Sequence, residues 1–226
     1  SAIDGAVCGV TRYISGTPLN QPLVPGRPAW PQILAHSKVA IEALQYAEQH
    51  GLRHGHLTPA NLLIDQDGTL FISDFMIAVS ARKNIAFEAW TAPEVAAGQS
   101  PDCKSDLFSL GVCFYEYATG QLPCPEQQDA WKSGILPPTP PNQLNPDLPE
   151  NFSRLLLRML AISPVDRPSS YASVKKELNE LGKGSGRGWQ RKQTHARKIL
   201  LSKSTRRPQM RLVINTRKRK SGGLLN

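Results

Sequence analysis

Asn61 and Asp74 are the residues whose types and spacing point most directly to chemistry. Asn61 closes the Pro-containing stretch Leu57-Thr58-Pro59-Ala60-Asn61. Two short apolar runs follow, Leu62–Ile64 and Leu70–Ile72, joined by Asp65-Gln66-Asp67-Gly68, and Asp74 stands just beyond the second. Asp-Gly between apolar runs is a hairpin signal. Folded back in that way, the strands bring both metal-binding side chains into one cleft, the layout of a phosphoryl-transfer site. His54, His56 and Thr58 share the loop with Asn61. An imidazole can accept a proton near pH 7, which makes His56 a candidate base.

Several elements must position that loop. From Pro31 to His50 the apolar residues Ile33, Leu34, Ala40, Ile41, Leu44 and Ala47 fall at helical spacing, with Pro31 in the first turn and Gly51 as a stop. This predicts a helix that delivers the chain into residues 54–61. Before it, the apolar run 6–14 reads as a buried strand, and the Pro- and Gly-rich residues 15–31 read as loop. Residues 104–116 predict a helix that is apolar nearly all round, hence central and buried, ended by Gly120. Taken alone, Asp106 reads as its N-terminal cap. Residues 134–149 read as Pro-rich loop. Phe152, Leu155, Leu156, Met159 and Leu160 then give an amphipathic stripe, and a last helix is expected over 169–181 with Tyr171, Val174, Leu178 and Leu181 inward.

The ordered set of motifs resembles the protein kinase superfamily of the Ser/Thr type. His54-Gly55-His56 through Asn61 is similar to the catalytic loop, Asp74-Phe75-Met76 to the magnesium loop, and Ala92-Pro93-Glu94 to the end of the activation segment. The resemblance implies an adenine-facing hinge at Tyr13 and Ile14, Leu63 as a floor beneath adenine, and Asn61 and Asp74 as magnesium ligands. It makes Asp106 a structural anchor for the loop and pairs Arg167 with Glu94. The departures fall in the loops: Gly55 replaces the loop Arg, His56 the catalytic Asp, Thr58 the catalytic Lys, and Met76 the last Gly. With Ser80 and Thr91 as the only hydroxyls between Asp74 and Glu94, and no loop Arg, control by activation-segment phosphorylation is not expected.

The implied fold is α+β: a mainly helical kinase-like C-terminal lobe over 15–182 with a short β-hairpin, preceded by a last small-lobe strand and hinge over 1–14. The rest of the small lobe is largely absent. The expected function is that of an impaired, pseudokinase-like domain acting by nucleotide or partner binding. An active Ser/Thr kinase is the alternative. ATP and Mg²⁺ are the implied cofactors, bound weakly or not at all, and a protein is the implied substrate or partner.

Charge sets the end of the chain apart. Residues 1–182 carry 13 Lys and Arg against 18 Asp and Glu, whereas residues 183–226 carry 14 Lys and Arg and no acid. That segment reads as a disordered basic tail, either a solvated linker or a contact for nucleic acid or anionic membrane, with the kinase lobe as scaffold in that case. No run approaches the roughly 20 apolar residues of a membrane span. Cys8, Cys103, Cys113 and Cys124 lack paired metal-ligand spacing and read as inert thiols, and nothing resembles a secretory leader, so a cytoplasmic setting is expected.

Overall fold

The computed structural model describes residues 2–3, 6–7, 13–21, 26–75 and 89–184. Met76, the 76–88 stretch with Ser80, Cys8, Val10, Arg12 and the basic residues 185–226 lie outside them. Near the start, β1 (Ala2–Ile3) pairs antiparallel with β2 (Ala6–Val7). The strand expected over 6–14 is thus only two residues long in its described part, and Tyr13 and Ile14 belong to no strand.

A three-stranded antiparallel sheet carries the loop. Its order is β3 (Gly16–Pro18), β4 (Leu62–Asp65), β5 (Leu70–Ile72), with Thr17 opposite Ile64 and Leu63 opposite Phe71. The hairpin β4–β5 falls where the Asp-Gly signal placed it. Strand β3 corrects the expectation of loop over 15–31. It is an edge strand, so the terminal Pro18 removes no interior ladder bond. A Cβ on Gly16 would sit 3.1 Å from Leu63 Cβ, tight enough that the neighbouring strand would have to give by a few tenths of an ångström.

Helix α1 (Trp30–Gln49) buries Ile33, Leu34, Ala40, Ile41, Leu44 and Ala47. Gly51, at φ 72°, turns the chain toward the loop. Short α2 (Pro93–Ala96) leads to the central α3 (Cys103–Thr119), which buries nearly every side chain. Asp102 caps α3: its carboxylate accepts from Ser105 N–H while Ser105 Oγ accepts from Asp102 N–H. The helix therefore begins a residue before the expected start, and Asp106, one turn in, is free for another role. Three further helices are α4 (Gln128–Lys132), α5 (Pro141–Leu144) and α6 (Glu150–Met159). Helix α5 corrects the reading of 134–149 as loop throughout; four residues opened by Pro141 are too few for periodicity to reveal. Helix α7 (Tyr171–Gly184) closes the fold against α1 and α6.

The core joins α1, the sheet, α3, α6 and α7, while a second cluster packs Phe108, Val112, Tyr115 and Trp131 against Ala92 and Val95. That cluster seats the 90–96 segment on α3. Among the described residues no helix is long and apolar enough to cross a membrane.

Candidate active site

The loop from His54 to Asn61 is held at both ends. At its far end Pro59 opens a single 3₁₀ turn through Asn61. Asn61 O accepts the Ser73 N–H at 2.9 Å, so closing the hairpin brings Asn61 beside Asp74. Asp74 takes φ 63°, a left-handed conformation uncommon for a non-glycine residue and frequent at functional sites. The two candidate ligands then meet directly: Asn61 Nδ2 donates to Asp74 Oδ2 at 3.1 Å, and Thr58 Oγ1 donates to Asn61 Oδ1 at 2.9 Å. Thr58, Asn61 and Asp74 thus form one hydrogen-bonded chain.

At its near end the loop is fixed by Asp106, which is 1% exposed. Its Oδ2 accepts from His54 N–H at 3.0 Å and its Oδ1 from Gly55 N–H at 2.8 Å. Gly55 adopts φ 75°, a conformation natural to glycine, and so presents two consecutive N–H groups to one carboxylate. His54 locks the same corner. Its Nε2–H donates to Ser73 O at 2.9 Å, its Nδ1 accepts from His56 N–H at 3.3 Å, and its ring packs on buried Phe75. These partners fix one neutral tautomer.

Opposite the loop stands the segment ending in Glu94. Arg167, whose side chain is fully buried, meets Glu94 with two bonds of 2.6 and 2.8 Å. The remaining guanidinium hydrogens reach the carbonyls of Ala161, Lys104 and Ile162, and the group lies 4.8 Å from the Phe108 ring centroid. Lys132 Nζ donates to Thr91 O at 3.1 Å, and Trp90 Nε1 donates to Glu116 Oε2 at 3.0 Å. Gly55, His56 and Leu57 line a narrow cavity whose other wall includes Trp90, Thr91, Ala92 and Val95. His56 therefore lies between the loop and this segment.

Residues 11–179 match the family described as protein kinase domain. The chain belongs to that family. Among its relatives, a probable serine/threonine-protein kinase of Clostridium acetobutylicum is 28% identical over 76% of this chain and 28% of its own length. The DNA damage-responsive serine/threonine-protein kinase RqkA of Deinococcus radiodurans is 34% identical over 63% of this chain and 23% of its own. The serine/threonine-protein kinase pkn3 of Myxococcus xanthus is 30% identical over 80% and 37%. The chain therefore spans between about a quarter and somewhat over a third of the length of these relatives.

Within the kinase frame, the other predicted site residues are Tyr13 and Ile14, which precede the edge strand β3, and Leu63 in the central strand β4. Tyr13 is 85% exposed, Ile14 is half-buried, and Leu63 is half-buried in β4 opposite Pro18. No described group of three or more His, Cys, Asp or Glu is placed to hold a metal. The kinase magnesium site asks for less, because Mg²⁺ keeps waters and binds through one or two protein oxygens plus substrate phosphates. Asn61 Oδ1 and the Asp74 carboxylate suit that demand. Reversing the Asn61 amide would turn its oxygen toward Asp74, and its NH₂ would then donate to Thr58, whose hydroxyl both donates and accepts. Asn61 and Asp74 would hold the ion, which when bound supplies neutralisation of phosphate charge.

Sequence reasoning missed Lys132, Trp90 with Glu116, and the polar role of Tyr171, whose hydroxyl donates to Asp106 Oδ2 at 3.1 Å. Only the Asp102-x-x-Ser105 capping box, which frees Asp106 from capping, was available as a sequence signal.

Burial governs the protonation of this corner. It lowers His54 to about 4, against smaller raising effects from Ser73 O and Asp74, and it pushes Asp106 up to about 6 despite its donors. Between pH 6.5 and 4 the unfolded chain protonates His54 and the folded chain does not, so stability falls as pH drops. For Asp106 the sign reverses: between about 6 and 3.8 the folded state holds the extra proton, and stability rises as pH drops. The two oppose each other, and buried His36, also lowered, adds to the side of His54. Asp106→Asn removes the compensating uptake, so its urea midpoint should fall more steeply from pH 7 to 5 than that of the unmodified protein. A shallower fall in the variant would contradict this assignment.

Proposed function

We propose that this kinase-family chain is an impaired phosphotransferase domain of the Ser/Thr type, which binds nucleotide weakly or presents its large lobe to a protein partner. The observation that carries this reading is the loop itself, where an imidazole at His56 and a hydroxyl at Thr58 occupy the positions of the family's carboxylate and ammonium. A carboxylate there would accept the hydroxyl proton while remaining attracted to the metal ions. A histidine that accepts the proton becomes a cation and is repelled by them. Loss of general-base assistance lowers rates by about 10²–10⁴-fold. Thr58 brings no charge to balance the transferred phosphoryl group, and its hydroxyl instead completes the Asn61–Asp74 chain.

The scaffold argues that the loop's geometry matters to whatever the domain does. Asp106, Arg167 and the hairpin hold the loop and the 90–96 segment in fixed relation, and such polar restraints are costly to bury unless fully satisfied. A second reading, an active protein Ser/Thr kinase using His56 or water as base, is favoured by the relatives' names.

Nucleotide titration of the full-length protein tests the binding half of the proposal. Mg²⁺ should strengthen ATP binding in the unmodified protein, and Asp74→Asn should abolish that enhancement while leaving metal-free binding within about twofold. Metal-linked binding that survives both Asp74→Asn and Asn61→Ala would show that these residues do not hold the ion.

A further inference from the structure

We propose that Tyr171 is a positioning residue for the 54–61 loop, acting through Asp106 to couple the loop backbone to the first turn of α7. The inference does not rest on whether the loop transfers phosphate. Tyr171 is 1% exposed, and its hydroxyl reaches Asp106 Oδ2, the oxygen that also accepts the His54 N–H. Asp106 thus has three donors, two from the loop and one from α7. The side chain is well placed because the helix start is fixed: Ser173 N–H donates to Ser170 Oγ and Ser170 N–H to Ser173 Oγ, a reciprocal cap that spans Tyr171. Four residues earlier, Arg167 grips Glu94. One five-residue segment, 167–171, therefore holds both walls around His56, the loop through Asp106 and the 90–96 segment through Glu94.

The chemistry of Asp106 makes the third donor consequential. A buried carboxylate stays ionised only while its donors compensate for lost water, and the ionised form accepts from the three donors more strongly than a neutral carboxyl does. Remove the phenol and the ionised form loses a donor, so Asp106 holds its proton to higher pH and grips the loop less well. The charged or titratable groups around it are Arg53, His54 and His56 on the loop side, Glu48 on α1, Cys103 on its own helix, and Tyr171.

Carboxyl carbon NMR and amide exchange on Tyr171→Phe test the proposal, with Val174→Ala as a control that trims the same buried face of α7. In the Phe variant the Asp106 midpoint should rise by about one pH unit, tenfold in proton affinity. Exchange at His54 and Gly55 should quicken roughly tenfold relative to Leu110 within α3. Val174→Ala should lower the unfolding midpoint and move neither quantity. In the unmodified protein, the Tyr171 ring carbon bearing oxygen should shift with the same midpoint as Asp106, a readout that needs no variant. The proposal is overturned if the Phe variant matches the control in both quantities, or if that ring carbon stays flat while Asp106 titrates.

Discussion

Arg167→Met is expected to lower stability by about 3–5 kcal/mol, a large fraction of the roughly 5–15 kcal/mol that holds a domain folded. The cost comes from stranded charge. Glu94 has only 11% of its side chain exposed and receives two of Arg167's bonds. Without the guanidinium its carboxylate remains in a site that water reaches poorly, and the carbonyls of Ala161, Lys104 and Ile162 each lose a donor. Lys would not substitute, because one ammonium cannot span a carboxylate and three carbonyls in a planar fork. The check is a denaturant titration of Arg167→Met beside Arg167→Met/Glu94→Leu. The double variant should recover part of the loss, because no buried charge is left unpaired. Equal losses would mean that the pair's electrostatics contribute little and that packing against Phe108 dominates.

The second large effect concerns His56 and Thr58. Restoring the family's pair, His56→Asp with Thr58→Lys, should raise the rate of phosphoryl transfer from ATP by about 10²–10⁴-fold in the full-length protein, the range that general-base assistance contributes. His56→Asp alone should gain less. The new carboxylate and Asp74 would both lie within electrostatic reach of His54, with no new cation beside them, and like charges disfavour each other's ionisation. Thr58→Lys alone should gain little, since an ammonium without a base assists no deprotonation. Rates measured for the four proteins form a double-mutant cycle, and a positive coupling between the two sites is the expected signature. A double variant no faster than the unmodified protein would move the cause of impairment elsewhere in the chain.

The parts of the fold that could be read from the sequence are those whose signal is long or doubled. Helix α1 repeats its apolar spacing over 20 residues, and the hairpin shows two apolar runs with an Asp-Gly turn between them. Helix α3 announces its burial by being apolar nearly all round. Strand β3 was hidden because three residues rich in Gly and Pro become a strand only through a partner at residues 63–65, which no local pattern reveals. Helices α4 and α5 are five and four residues long, too short to repeat a period. The candidate site divides in the same way. Asn61, Asp74, Asp106, Glu94 and Arg167 stood out as motif positions, whereas Tyr171 looked like one more apolar contact on an amphipathic helix. Its hydroxyl acquires meaning only when α7 folds back on α3. The self-satisfied chain from Thr58 through Asn61 to Asp74 was equally illegible, because its hydrogen bonds depend on the turn at Pro59 and the left-handed backbone at Asp74.

The separation of scaffold from chemistry has a physical basis. Asp106 and Arg167 are buried, polar and fully bonded, so losing either strands other polar groups and costs the fold. His56 and Thr58 sit on a loop whose backbone is already held by Asp106 and the hairpin. Their side chains can change without disturbing that backbone, and activity can be lost while architecture is kept.

The most direct test is transfer of the γ-phosphate from Mg²⁺-ATP by the unmodified, full-length protein, measured on itself by intact mass and on a mixed Ser/Thr peptide library. The expected rate is at or near background, at least about 10²-fold below that of the His56→Asp/Thr58→Lys protein assayed beside it. Robust Mg²⁺-dependent phosphorylation by the unmodified protein, abolished by Asp74→Asn, would contradict it and establish His56 as compatible with catalysis.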